Sequence, residues 1–282
     1  YMEVYQQIRQ RHLDMIQMLI ENTTVRQMLC HEIERILDEL RSILFGVHLI
    51  KDLSPKSEAA IVSYGERMSS RIPGAVRKNS LEFIRTEHKH GQILLNSELT
   101  DQLVREAFSP MPNLAVCPGF ISRDSQTDEI TNLGRGGSDY TASILAASLG
   151  AEVLEIWTDV NGFMTADPRL IPEAYTIQSL SYVEATELCN FGAKVVYPPT
   201  IYPVCAKNIP IRILNTFSPD NSGTIIQSEP EDSTRYVRGL SSIRDVALIT
   251  VSGLSMVGVI GVNQRIFSAL AQAGVSVFLV SQ

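Results

Sequence analysis

The run Leu133–Gly150, LGRGGSDYTASILAASLG, limits the fold more than any other part of the chain. Gly134, Gly136 and Gly137 let the backbone approach a ligand closely and turn N–H groups inward. Ser138 and Asp139 are both residue types that cap helices. The small and apolar residues after them read as a helix over Tyr140–Leu149, with Gly150 as its stop. VLEIW (Val153–Trp157) follows as a continuous apolar strand closed by Thr158 and Asp159. A strand, loop, helix, strand rhythm of this kind implies an α/β sandwich with a mainly parallel sheet.

The flanking pattern adds helices and strands around that unit. Apolar residues at helical spacing predict helices over Tyr1–Ile20 and Val25–Phe45, either structural or a docking pair for a partner. A third helix is expected near Ser57–Ile72. Gly65 lies inside it, at a cost that either helix packing or close approach of a ligand would justify. Strands are expected at Leu81–Thr86 and Leu114–Ser122, and a hairpin at SRDSQTDEITN. Two helical stretches flank AKVVYPP between Ser181 and Lys207. Ile211–Asn215 reads as a strand, Ser218–Gly223 as a turn and Gln227–Thr234 as a linker. Beyond it, Val246–Ser252, Val262–Ala273 and Val275–Ser281 read as strand, helix and strand. A lone βαβ unit cannot cover both faces of its sheet, so this domain is expected to be incomplete. A length of 282 residues suits two domains.

Composition excludes several classes. The 24 Lys and Arg against 31 Asp and Glu give a net charge of −7, the wrong sign for a nucleic-acid binder or an anionic-membrane binder. No apolar run approaches the roughly 20 residues that span a bilayer. No signal-peptide pattern opens the chain, which begins at Tyr1 inside a helical pattern and reads as cut. Cys30, Cys117, Cys189 and Cys205 form no CxxC, so free thiols in a reducing cytoplasm are expected. His88 and His90 could start a metal site, but no partner ligands are evident, and no metal residue is assigned.

Four constellations carry chemistry. Gly134–Asp139 offers N–H donors, a helix N-terminus and the Arg135 fork, together an anion site. It is not a dinucleotide fingerprint, because Asp139 stands where GxGxxG needs glycine. It is not a Walker A loop, because no GK[ST] follows. Thr158 and Asp159 at a strand end, with Asp167 and Arg169 beyond, suit a magnesium ion, a ribose or a phosphate, or else form a plain Asp/Gly/Pro turn. Lys194, after Gly192-Ala193, could reach phosphates or simply be solvated. Glu66, beside Gly65, could hold an ammonium group or pair with Arg67 or Lys56.

In order along the chain, SYGERMSS, LGRGGSDYTAS, IWTDVNGFMTADPR and FGAKVVYPPT resemble aspartate kinases of the amino-acid-kinase family. The resemblance is greatest to the kinase portion of bifunctional aspartokinase–homoserine dehydrogenases, and the last segment resembles the start of an ACT regulatory domain. The resemblance implies a three-layer α/β sandwich over residues 1–227, with a helical insert at about 1–50, and a partial ACT-like α+β domain over 228–282. It implies phosphoryl transfer from ATP, with Mg²⁺, to the side-chain carboxylate of L-aspartate, a feedback-regulated first step toward lysine, threonine and methionine. On this reading Glu66 binds the α-ammonium, Arg135 the α-carboxylate with help from Ser138, and Asp139 organises the catalytic centre. Thr158, Asp159, Asp167, Arg169 and Lys194 line the nucleotide site. A threonine or lysine effector, with Gln282 as a contact, a homo-oligomer and a cytoplasmic setting are implied too.

The chain departs from the family at three places. Met164 stands where a tyrosine is usual, the stretch between Ser70 and Leu81 is short, and no K-F-G-G-T-S strand-loop is present. The polypeptide as written is therefore expected to be catalytically incompetent. Two other functions remain open: a non-catalytic ACT-type amino-acid sensor, and a sibling kinase acting on another amino acid, carbamate or UMP. Glu66 together with Arg135 favours an α-amino acid.

Overall fold

The computed structural model describes residues 1–71, 75–89, 91–230, 237–253 and 259–281. His90 and Gln282 lie outside them, as does part of the expected linker. The chain divides into two compact units, Tyr1–Ser242 and Ile243–Gln282.

The first unit opens with α1 (Met2–Leu19) and α2 (Thr23–Ile50), separated by a short turn in which the Asn22 side chain accepts hydrogen bonds from the Thr24 and Val25 amides. The third helix, α3 (Pro55–Ser69), has Ser54 as its cap and proline at its first position, where the missing N–H is harmless. Tyr5, Ile16, Ile33, Ile36, Leu37 and Leu40 form one apolar core with Tyr64 and Met68 of α3. The helical pair therefore packs on the element that carries Gly65 and Glu66.

Next come β1 (Val76–Arg77), α4 (Ser80–Phe83), β2 (Arg85–Lys89), β3 (Gln92–Leu95) and α5 (Ser97–Ala107). The strand expected at Leu81–Thr86 begins only at Arg85. Asn79 caps a single helical turn, accepting from the Leu81 amide, and that turn buries Leu81 and Phe83. The strand expected at Leu114–Ser122 is split into β4 (Ala115–Val116) and β5 (Ile121–Asp124). Pro118 and Gly119 interrupt it, since proline cannot donate to a ladder. The hairpin at SRDSQTDEITN forms as β5 against β6 (Ile130–Asn132).

After α6 (Gly137–Leu149) and β7 (Leu154–Thr158) come β8 (Ser179–Ser181), α7 (Tyr182–Asn190), a 3-10 turn at Pro198–Thr200, α8 (Ile201–Cys205), β9 (Ile211–Asn215) and β10 (Thr224–Gln227). The strand orders are β3-β2-β5-β6 and β7-β9-β10-β8, with β1 and β4 as a separate pair. Four ladders are parallel (β1/β4, β2/β5, β7/β9, β8/β10) and three antiparallel. The sheets are thus mixed. The antiparallel members are hairpins or short connections, such as the Ser218–Gly223 turn joining β9 to β10, and these leave no room for a crossover helix.

Helix α6 is shared between two cores. Its Ala146 joins the core of the second sheet with Ile156, Ile211 and Ile213, and its Ile144 joins that of Phe83, Val104 and Phe108. The segment 237–242 docks back on this unit. The Leu240 amide donates to the Thr165 carbonyl at 2.8 Å, and Arg238 Nε donates to Glu184 Oε1 at 3.2 Å.

In the second unit, α9 (Val262–Gln272) occupies the expected helix. The strands expected at Val246–Ser252 and Val275–Ser281 are not formed among the described residues. A strand needs a ladder of backbone hydrogen bonds to a neighbouring strand, and among the described residues no such ladder includes either segment. Their apolar side chains, Leu248 and Leu279 among them, stay exposed.

Candidate active site

A cleft of about 380 Å³ opens where α3, the turn before β5 and the N-terminus of α6 meet. Helix α3 contributes Val62, Gly65 and Glu66. The glycine loop contributes Arg135, and the first turn of α6 contributes Ser138 and Asp139. Of the residues singled out in the sequence, Glu66, Arg135, Ser138 and Asp139 therefore share one site.

Local chemistry explains how the loop presents them. The cap of α6 is Gly136, at φ 70°, and no side chain caps the helix. Ser138 and Asp139 were the expected caps. They lie instead inside the first turn, where their side chains are free to line the cleft. An alanine at Gly136 would drive its Cβ into the Tyr197 ring, so the loop needs glycine for both conformation and space. Gly119 backs Ser138 so closely that an added Cβ would lie 2.8 Å from the Ser138 Cα.

Phe120 was not foreseen as a cleft residue. It adopts φ 67°, an uncommon conformation for a bulky side chain. Its amide donates to Thr141 Oγ1 at 3.0 Å, and its carbonyl accepts from the Leu133 amide at 2.8 Å. The Pro118-Gly119 break was the only signal in the sequence.

The site mixes charges. Burial pushes the Glu66 carboxyl above its usual range, and a hydrogen bond from Ser138 partly offsets this. Burial likewise raises Asp139. The surface pairs that would have occupied Glu66 form elsewhere: Arg67 binds Glu39 at 2.9 Å and Lys56 binds Glu129 at 2.5 Å. Arg135 is exposed, and among the described residues its guanidinium has no hydrogen bond or ion pair. The cleft thus holds a half-buried carboxylate and an uncommitted guanidinium.

A consequence follows for Glu66. Its folded-state pKa lies above its unfolded value, so between the two the native state binds more protons than the unfolded state. Stability falls as pH rises through that window. Glu66→Gln is therefore expected to raise the melting temperature at pH 7 relative to wild type, with the gain shrinking as pH is lowered below the raised pKa. Thermal melts at pH 7 and pH 4 check this, and equal melting temperatures for the two proteins at pH 7 would contradict it.

The remaining candidates lie on a second group of loops. Thr158 ends β7, and its hydroxyl donates to Asp159 Oδ1 at 3.3 Å. Asp167 accepts from the Arg169 amide at 3.0 Å and from its guanidinium at 3.0 and 2.9 Å, so these two residues clasp each other. Lys194 is exposed in the turn after α7, with no hydrogen bond or ion pair among the described residues. None of these five lines the cleft. The physical link between the groups is Tyr197, three residues beyond Lys194, whose ring lies on Gly136. Among the described residues no set of three or more His, Cys, Asp or Glu could hold a metal ion. Nor is any helix among them long and apolar enough to cross a membrane.

Known proteins resemble the chain in sequence and in fold. A model of the ACT domain matches residues 249–282. A bifunctional aspartokinase/homoserine dehydrogenase of Haemophilus influenzae is 48% identical over 164 residues, which is 58% of this chain and 20% of that protein. The crystal structure of Escherichia coli aspartokinase III with aspartate and ADP superposes with a TM-score of 0.82 at 28% identity, covering 100% of this chain and 64% of that one. The same enzyme with lysine and aspartate gives 0.75 at 27% identity. This chain spans less than two thirds of the length of each of these proteins. The model of the amino acid kinase family matches residues 6–215, the stretch that builds both groups of loops, and the chain belongs to that family.

Proposed function

We propose that the protein is an aspartate kinase, transferring the γ-phosphoryl group of ATP to the side-chain carboxylate of L-aspartate. The observation that carries this reading is the pairing of Glu66 with an uncommitted Arg135 in one cleft. A carboxylate and a guanidinium lining a common cleft are what an α-amino acid requires, one for its ammonium and one for its carboxylate. The structural relative that carries aspartate and ADP supports the same assignment.

The chemistry needs little from the protein beyond placement. The substrate carboxylate is already ionised at neutral pH, so no general base is required. Its oxygen forms the new P–O bond as the bond to the β,γ-bridging oxygen breaks and ADP departs, and no proton is transferred. The difficulty is to bring two anions into line. Arg135 and Ser138 hold aspartate at the N-terminus of α6, where the helix dipole favours negative charge. Asp139 lies in the same turn and organises the reacting end. Thr158, Asp159, Asp167, Arg169 and Lys194 receive the nucleotide on the neighbouring loops. A Mg²⁺ ion would enter with the phosphates and neutralise part of their charge. Isolated carboxylates such as Asp159, rather than a protein cage, suit an ion that keeps most of its ligands from phosphate and water.

The second unit would take lysine or threonine as an effector, and the relative seen with lysine supports this. Its exposed apolar segments, Leu248 and Leu279 among them, suit pairing in a homo-oligomer. The unpaired cysteines suit a reducing cytoplasm. Because no K-F-G-G-T-S segment occurs in these 282 residues, binding rather than turnover is the direct readout in this chain.

Calorimetry with a panel of ligands tests the reading. L-Aspartate and MgATP are expected to bind, whereas succinate, which lacks the ammonium, and UMP are expected to bind at least tenfold more weakly. Equal binding of succinate and aspartate would remove the role given to Glu66. Binding of lysine or threonine with no binding of aspartate or MgATP would favour the sensor.

A further inference from the structure

Gly65 occupies the middle of α3, where alanine would make a more stable helix. Two reasons commonly keep a glycine at such a place, a positive φ and a close neighbour, and neither applies. Its φ is helical, and a Cβ built on it would meet nothing within 4 Å. Gly65 lines the cleft together with Glu66, Arg135 and Ser138, the groups that would hold a ligand, and the space at its Cβ position is open. Gly46, in α2, is the internal comparison. It too is helical with open space around a virtual Cβ, but it does not line this cleft.

We propose that Gly65 determines specificity: the bare backbone at this position is the floor on which the Cα and Cβ of the amino-acid substrate lie. The inference rests on the aspartate reading above and adds to it the surface that sets the substrate's size. Val62, one turn earlier on the same face of α3, forms the apolar margin of that floor. A methyl group at residue 65 would project into the volume that the substrate's carbon chain needs while leaving Glu66, Arg135 and Ser138 unchanged. Overpacking a site of this kind weakens it sharply.

The test is a matched pair of substitutions, Gly65→Ala and Gly46→Ala, followed by thermal melting and calorimetry. Each is expected to raise the melting temperature, by about 2–4 °C, because each removes a helix-interior glycine. Only Gly65→Ala is expected to weaken L-aspartate, by about tenfold or more, with MgATP affinity unchanged. A Gly65→Ala protein with a raised melting temperature and wild-type aspartate affinity would overturn the proposal. So would a Gly65→Ala protein that loses aspartate and MgATP equally, since that points to a general disturbance of the fold. If wild type itself does not bind aspartate, it is the assignment of the substrate that fails. The floor at Gly65 is then read with L-glutamate and L-asparagine as probes, and it fails if Gly65→Ala binds them as wild type does.

Discussion

Replacing Arg135 by alanine is expected to weaken L-aspartate binding about 10- to 150-fold with almost no change in stability. The size follows from the chemistry of the contact. A hydrogen bond to a charged group contributes about 1.5–3 kcal/mol, and each 1.4 kcal/mol is about tenfold in affinity. The lack of a stability effect follows from the structure. Arg135 is exposed, makes no hydrogen bond or ion pair among the described residues, and sits between glycines whose conformation its side chain does not support. Arg135→Lys retains the charge but not the planar fork, and should fall between wild type and alanine. Calorimetry with melting curves on all three proteins checks this. A large drop in melting temperature for Arg135→Ala, or unchanged aspartate affinity, would contradict the role given to it.

The second large effect is on the fold. Ile213 lies in β9, fully buried between β7 and β10 in the core of the second sheet. Ile213→Ala is expected to destabilise by about 2–5 kcal/mol, through lost burial and the cavity left behind. For a unit of this size that is roughly 4–20 °C in melting temperature. Well below that temperature, aspartate affinity is expected to stay near wild type, because no residue of β9 lines the cleft. The register of β9 with β7 runs to Asn215 opposite Thr158, so MgATP binding is the more sensitive of the two. A chemical-denaturation curve with ligand titrations separates these outcomes. A loss of less than 1 kcal/mol would mean that this sheet is not the mechanical base of the nucleotide loops.

The sequence was most legible where local signals agreed. In Leu133–Gly150 the glycines, the small-residue run and the terminal Gly150 all point to a loop entering a helix, and α6 ends at Gly150 in the left-handed conformation. Ile211–Asn215 was bounded by turn residues and formed as read. Legibility failed where tertiary contacts decided. Leu81 and Phe83 have strand-like spacing, but Asn79 caps them into a helical turn that a nearby core rewards. The β2/β3 hairpin was not foreseen, and neither was α5, although its cap Asn96 and its apolar face at Leu99, Leu103 and Val104 are a legible helix signal.

The site divides in the same way. Chemistry-bearing residues adjacent in sequence, Arg135 to Asp139, could be grouped by eye. That Glu66 joins them across a separation of 69 residues depends on how α3 packs against β6, the strand that leads into the glycine loop, which no local pattern records. The pairing of Asp167 with Arg169 was equally invisible. Two charged residues two apart can clasp each other or face a ligand, and only the loop's backbone decides.

The most direct test is a crystal structure of this chain with L-aspartate and ADP. The account predicts aspartate in the cleft, its α-carboxylate on the Arg135 guanidinium, its ammonium on the Glu66 carboxylate and its carbon chain over Gly65. Aspartate bound elsewhere, with Arg135 still turned to solvent and Glu66 touching only Ser138, would contradict it.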